Sequence, residues 1–415
     1  MHAALISKLT NGLRAGPGGP LGVAVSGGSD SVALLHLLAG HAPVRDAGLS
    51  CVTVDHGLRP EAAEEAAFVS QLCSGLGIAH QTLQWRGWDG KGNTQDAARQ
   101  ARYGLIAGWA GQRGITAVAL GHTQDDQAET VLMRLARGAG VDGLSAMAPR
   151  RDAHGISWLR PLLDAGRQEL RNYLTGQGIA WKDDPGNENP DYERIRARTA
   201  LQDFAPLGID AKRLAMIAGH MADAREVLQQ HMLSVADSLI AVDGGAVRLP
   251  WEAFSELPAE TKRRLITGVM RWMNGGGYAP RHSAVAAFLS SLQDAGAGTA
   301  AGTQGLVRRD VLWMFREYAV VRDLRGAPGM VWDHRWTLTG PAPPSGACVG
   351  ALGPEGLKTC ENWRDTGMPR AALLATPAVR TGETLVAAPV AQTVSNWETG
   401  PECTKAALLS ALLSH

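Results

Sequence analysis

Leu21-Gly-Val-Ala-Val25 is an apolar run, followed by six small residues, Ser26 to Ser31, and then by Val32-Ala-Leu-Leu-His-Leu-Leu38 at helical spacing. This pattern predicts a strand, a tight turn and a helix. The pattern then repeats. Leu49 to Val54 is a β-branched run, and Glu61 to Leu76 has helical spacing behind Pro60. Asn93 to Tyr103 opens a further helix, Ile115 to Leu120 a further strand, and Val131 to Arg137 continues as a helix after the polar stretch Gly121 to Thr130. Trp158 to Leu163 reads as a last strand and turn, and Arg167 to Tyr173 as a helix. Strands alternating with helices predict an α/β domain with a doubly wound parallel sheet, in which ligands lie outside the carboxyl ends of the strands.

From about Ala205 the pattern changes. Asp210 to Ile240 and Thr261 to Met273 carry long helical stripes of Ala, Leu and Met, which predict core packing. Ser283 to Gln293 is another helix, and Thr299 to Glu317 reads as a Gly-rich turn into a strand, forming a hairpin. After Ala327 the chain is rich in Gly, Pro and Trp, with short β-like runs such as Thr384 to Ala388 and a short terminal helix, Thr404 to Leu413. The expected organisation is therefore a catalytic domain over 1–204, a mostly helical middle domain over 205–326 and a small, mostly β domain over 327–415. Trp332, Trp336, Trp363 and Trp397 fit either a small Trp-rich core or a surface that stacks on nucleotides.

Length and charge narrow the picture. The 415 residues suit two or three domains, and 40 basic residues balance 40 acidic ones, so any nucleic-acid contact must come from a local basic patch. Five scattered cysteines without a Cys-x-x-Cys pair argue for a reducing compartment and against zinc, disulfide or iron-sulfur frameworks. The N-terminal ten residues hold a short apolar patch broken by Ser7 and Lys8. No run approaches a membrane span and none reads as a signal peptide, so a cytoplasmic protein without membrane contact is expected.

The candidate chemistry lies at the predicted carboxyl ends of the strands. Gly27 and Gly28 let the backbone approach a ligand, and Ser26, Ser29 and Ser31 offer hydroxyls and amides at a helix N-terminus, where the dipole favours anions. The turn is an anion cradle without the lysine of a Gly-x-x-x-x-Gly-Lys-Ser/Thr loop. An acid inside it, Asp30, makes sense with a divalent cation between acid and phosphate. Asp55 and His56 end the second strand and belong beside a nucleotide, or form a polar turn. Arg99, Arg102 and Tyr103 share a helical face, where two arginines can clamp phosphate. His122, Asp125, Asp126 and Glu129 crowd one helix start, more acid than the dipole needs, and suggest a site for a metal or an ammonium group.

Taken together, Ser26-Gly-Gly-Ser-Asp-Ser31 resembles the PP-loop of the ATP pyrophosphatases, which cleave ATP between the α and β phosphates. The ordered set formed with Asp55 to Arg59, Gln95 to Tyr103, Gly121 to Thr130, Arg137 to Gly140, Arg160 to Leu163 and Trp181 to Pro185 resembles the bacterial tRNA(Ile)-lysidine synthetase family. The resemblance covers about the first half of the chain. It implies a ligase that uses ATP and Mg²⁺ to adenylate the wobble cytidine of tRNA(Ile) with a CAU anticodon, after which the side-chain amine of free L-lysine displaces AMP. Decoding then changes from AUG to AUA. By the same resemblance Asp30 faces Mg²⁺, Asp126 and Glu129 hold and deprotonate lysine with His122 beside them, and Arg194 and Arg196 neutralise phosphate or carboxylate. Thr123 stands where the family often has a second histidine, Lys182 to Asn187 where it has a Glu-Asp-Pro-Ser-Asn type of loop, and Glu193-Arg194 where Arg-Asn is common. The alternatives are another PP-loop tRNA-modifying enzyme and a catalytically silent PP-loop tRNA-binding protein. Monomer and homodimer are both left open.

Overall fold

The computed structural model describes residues 2–57, 61–86, 94–182, 193–392 and 395–413. Residues 58–60, 87–93 and 183–192, among them most of the loop expected over 85–92 and of the polar loop expected after Trp181, lie outside the described residues. The chain divides into two compact units, Met1–Arg225 and Glu226–His415.

The first unit holds α1 (His2–Leu13), β1 (Leu21–Ala24), α2 (Ser29–Gly40), α3 (Ala42–Ala47), β2 (Leu49–Asp55), α4 (Glu61–Leu76), β3 (Ala79–Gln84), α5 (Thr94–Gln112) and β4 (Ala117–Leu120). It continues with α6 (Gln124–Ala136), α7 (Val141–Leu144), β5 (Arg150–Ala153), β6 (Ile156–Leu159), α8 (Arg167–Gly176) and α9 (Glu193–Phe204). The sheet order is β3-β2-β1-β4-β6-β5, parallel except for the β5–β6 hairpin. The winding reverses between β1 and β4, which is where such sheets open a crevice.

Alternation along the strands feeds two cores. Val23, Cys51, Ala117 and Ala119 face α1, α2, α4 and α8, whereas Val52, Val118 and Trp158 face Tyr103, Ile106 and Trp109 of α5. Helix α2 is apolar nearly all round because it is enclosed nearly all round: Leu34, Leu35, Leu37 and Leu38 are fully buried. Gly22 keeps α5 close to the sheet, since a Cβ there would lie 3.0 Å from both Trp109 and Val118. The N-terminal patch is not broken but helical, with Leu5 and Leu9 four apart and buried in the first core. Strand β3 had no apolar signal to announce it, because it is an edge strand with mostly exposed side chains.

Helix α10 (Ala211–Leu239) follows. The second unit contains β7 (Ala241–Asp243), β8 (Ala246–Pro250), α11 (Trp251–Ser255), α12 (Ala259–Met273), α13 (His282–Ala295), β9 (Ala297–Ala300), β10 (Thr303–Arg308) and β11 (Val311–Arg316). Its helices therefore accompany an antiparallel sheet of order β7-β8-β11-β10-β9. The expected hairpin is β10–β11, closed by Arg309 and Asp310 at φ 52° and 58°, the backbone of a tight two-residue turn. A second antiparallel sheet combines Arg325–Gly326, Ala347–Ala351, Pro377–Thr381 and Thr384–Ala387. Trp332, Trp336 and Trp397 are buried with Val349 and Val379, so these three tryptophans are core and not a stacking surface. Among the described residues no helix is long and apolar enough to cross a membrane.

Candidate active site

The loop after β1 is braced by its own serines. Ser31 Oγ accepts from the Ser26 N–H at 3.2 Å and donates to the Gly28 carbonyl at 3.0 Å. Gly27 has φ +91°, a conformation open to glycine, and Gly28 is an extended N-cap without a side chain to occupy the first amides of α2. Those amides are left for an anion. The end of β4 comes so close that a Cβ on Gly121 would sit 2.9 Å from Ser31 Cα. Loop and strand end together open a cleft of about 790 Å³.

One wall of this cleft is an assembly of charged side chains. Arg167, the first residue of α8, donates from Nε to Asp30 at 3.0 Å, from Nη2 to Asp126 at 3.3 Å and from Nη1 to Glu129 at 3.4 Å. Its backbone N–H donates to Asp125 at 2.7 Å, which fixes the start of α8 against α6. Arg198 donates to Glu129 at 2.9 Å. Arg194 Nε stands 3.1 Å from the other Glu129 oxygen, within ion-pair range but outside hydrogen-bond alignment, which leaves that buried oxygen without a hydrogen bond among the described residues. Glu129 itself is only 1% exposed.

Asp126 works in two directions. Its Oδ2 accepts from the Thr123 N–H and hydroxyl at 2.8 and 2.9 Å, closing a capping box at the start of α6, while Oδ1 faces Arg167. Thr123 is therefore the N-cap of α6. Burial pulls the Asp126 carboxyl up, but Arg194, Arg167, His122 and the Thr123 N–H outweigh it and hold it below the usual range. Burial wins at Asp30, whose carboxyl lies above its ordinary value despite Arg167. Burial also pushes the His122 imidazole down to about 3, aided by Arg160, Arg194 and Arg102 against the pull of Asp126. His122 is therefore neutral at physiological pH, and its buried Nδ1 has no hydrogen-bond partner among the described residues.

Of the residues expected from sequence, the cleft is lined by Ser26, Gly28, Ser29, Asp30, Ser31, His56, Arg102, His122, Asp126 and Arg194. Glu129 joins through its arginines. Gly27 shapes the loop from behind. Asp55 does not line the cleft; its carboxylate accepts the Gly57 N–H at 2.8 Å and forms the turn. Arg196 is exposed, and Arg198 takes the place beside Glu129 because residues four apart share a helical face. Arg167, Arg171 and Lys182 also line the cleft without having been singled out. In the sequence Arg167 carried one signal, its place at the start of a helix just after Arg160-Pro-Leu-Leu163.

The donor set suits magnesium. Among the described residues no three His, Cys, Asp or Glu side chains gather into a metal cage. One carboxylate beside a phosphate cradle, as at Asp30, is the arrangement magnesium uses when phosphates complete its shell.

Fold and site define a nucleotide-binding α/β domain of the PP-loop class, and residues 2–204 match the family model described as a PP-loop domain. The chain is 48% identical over 411 residues to the tRNA(Ile)-lysidine synthase of Ruegeria pomeroyi, covering 99% of this chain and 98% of that protein. It is 43% identical to that of Bradyrhizobium sp. strain BTAi1, over 60% of this chain and 72% of that one, and 39% identical to that of Zymomonas mobilis, over 70% and 86%. The chain belongs to the tRNA(Ile)-lysidine synthase family.

Proposed function

We propose that this protein joins free L-lysine to the wobble cytidine of tRNA(Ile) bearing a CAU anticodon, at the expense of ATP. The observation that carries this reading is the meeting, in one cleft, of an anion cradle at Ser26 to Ser31 with Asp126, to which the buried Glu129 is joined through Arg167. In the first step the C2 carbonyl oxygen of the cytidine attacks the α-phosphorus of ATP, and the bond to pyrophosphate breaks. The loop amides and serine hydroxyls hold the departing pyrophosphate in line with the attacking oxygen. Magnesium, when bound, neutralises charge on the phosphates, and Asp30 is the residue that would hold it.

In the second step the lysine side-chain amine attacks C2, and the bond to the AMP oxygen breaks. Lysine arrives as an ammonium ion, which Asp126 and Glu129 can seat in the place where arginine donors now stand. One of these carboxylates takes the ammonium proton before attack, and His122, neutral at physiological pH, stands beside them. Arg102, which also lines the cleft, can hold the nucleotide phosphate.

The test is AMP formation by the purified protein with ATP, with and without lysine and an unmodified tRNA(Ile) transcript bearing CAU, followed by mass analysis of the wobble nucleoside. The expected result is AMP only with both substrates, and a cytidine heavier by one lysine less water. AMP without that mass increase would indicate a different nucleophile, and no AMP under any combination would indicate a binding protein without chemistry.

A further inference from the structure

The anion cradle has no lysine of its own to reach the terminal phosphates, for Asp30, Ser31 and Val32 stand where a Gly-x-x-x-x-Gly-Lys-Ser/Thr loop would place it. A triphosphate still brings several negative charges into the cleft. Three cations there already face carboxylates: Arg167 bonds Asp30, Asp126 and Glu129, and Arg194 and Arg198 stand on Glu129.

Lys182 is placed differently. Its backbone N–H donates to the Gly27 carbonyl at 3.0 Å, so the segment after α8 is tied directly to the phosphate loop. The positive φ of Gly27 is part of the loop conformation that makes this bond. The exposed side chain runs across Phe68 of α4, with Nζ 5.8 Å from the ring centre, and lines the cleft beside Ser26, Gly28 and Ser29. Among the described residues it forms no ion pair. A solvated ammonium held at a phosphate cradle by its backbone, over an aromatic face that guides its stem, is a cation waiting for an anion.

We infer that Lys182 supplies, from a distant segment, the phosphate-reaching cation that the loop lacks, and that it binds the pyrophosphate end of the nucleotide and the released pyrophosphate. This rests on the ATP-cleaving reading above. It also gives the backbone bond to Gly27 a purpose: it sets the register of a side chain that the loop could not carry at Asp30 without losing the acid.

The test uses the full-length protein in magnesium buffer and inorganic pyrophosphate as the probe, by calorimetry and by inhibition of AMP formation. Lys182→Ala is expected to weaken pyrophosphate binding about tenfold and to raise the KM for ATP by a similar factor, with the KM for lysine unchanged. Lys182→Arg, which keeps the charge, should restore most of the loss. The backbone bond survives both substitutions. Unchanged pyrophosphate binding in Lys182→Ala would overturn the inference. So would equal losses in both variants accompanied by a lower melting temperature, which would mean a structural role. Pyrophosphate binding that depends on Lys182 in a protein that transfers no lysine to tRNA would uphold it and count against the lysidine reading alone.

Discussion

Two arginine–carboxylate groups in this protein share an Nε–carboxylate contact of 3.0 Å and differ in what surrounds it. Arg316, at the end of β11, meets Asp333 at 3.0 Å in the second unit, and both are about 6% exposed. The same guanidinium also donates from Nη1 to Asn274 and to the Gly302 carbonyl, both neutral partners. Arg167 instead faces three carboxylates at 3.0 to 3.4 Å, on the wall of an open cleft, and those acids are balanced only with the help of Arg194 and Arg198. A closed one-to-one pair has nothing to exchange and serves the fold. A cluster of several acids and several cations beside an open cleft can trade one cation for another, as the proposed site for ammonium and magnesium must.

The sharpest way to break this contrast is Asp30→Asn. It leaves the volume of the loop unchanged but removes the carboxylate for the metal, and pyrophosphate release should fall by at least about a hundredfold. A normal burst of pyrophosphate from this variant would remove Asp30 from the chemistry. Next in size is Glu129→Gln, for which lysine transfer should fall about a hundredfold while adenylation, followed as tRNA-bound AMP, falls less than about tenfold. Equal loss of both steps would refute the assignment of Glu129 to lysine.

The structural pair predicts the opposite signature. Arg316→Met leaves Asp333 buried without its cation and should destabilise the second unit by about 3 to 5 kcal/mol in urea melts, with pyrophosphate affinity unaltered. Removing both partners, as in Arg316→Met with Asp333→Leu, should recover much of that loss; failure to recover would show that the pair does more than balance charge.

The last test concerns pH. His122 has a folded pKa of about 3 against an ordinary 6.5, so between these values the unfolded chain binds a proton that the folded one refuses, and stability falls as pH falls through that window. His122→Asn should flatten the melting temperature between about pH 6.5 and pH 3. Asp126, whose folded carboxyl is also depressed, gives a further loss in the same direction at lower pH, while Asp30, whose carboxyl is raised, opposes it. A slope unchanged in His122→Asn would show that the imidazole is protonated in the folded protein.

What could be read in the chain by itself was whatever is contiguous. The strand, glycine-serine turn and helix over 21–38 form a phosphate cradle from neighbouring residues, because backbone amides at a helix start need only local sequence to point together. The acids of α6 were legible for the same reason, three and four apart on one turn. The alternation of strands and helices likewise decided a doubly wound sheet, and with it the strand ends at which the cleft opens.

Only the tertiary structure decided which charges meet. Arg167 reaches Asp30, Asp126 and Glu129 because α8 starts beside α6 and α2, and Lys182 reaches Gly27 because the chain after α8 returns to the loop; no local spacing encodes either contact. Asp55 turned away from the cleft because a nearer donor, the Gly57 N–H, claimed its carboxylate. Arg198 displaced Arg196 because the helix, once docked, presents every fourth residue to Glu129. Side-chain charge acts through space over a few ångströms, so its partners are settled by how the elements pack, whereas the backbone cradle was settled by the order of residues alone.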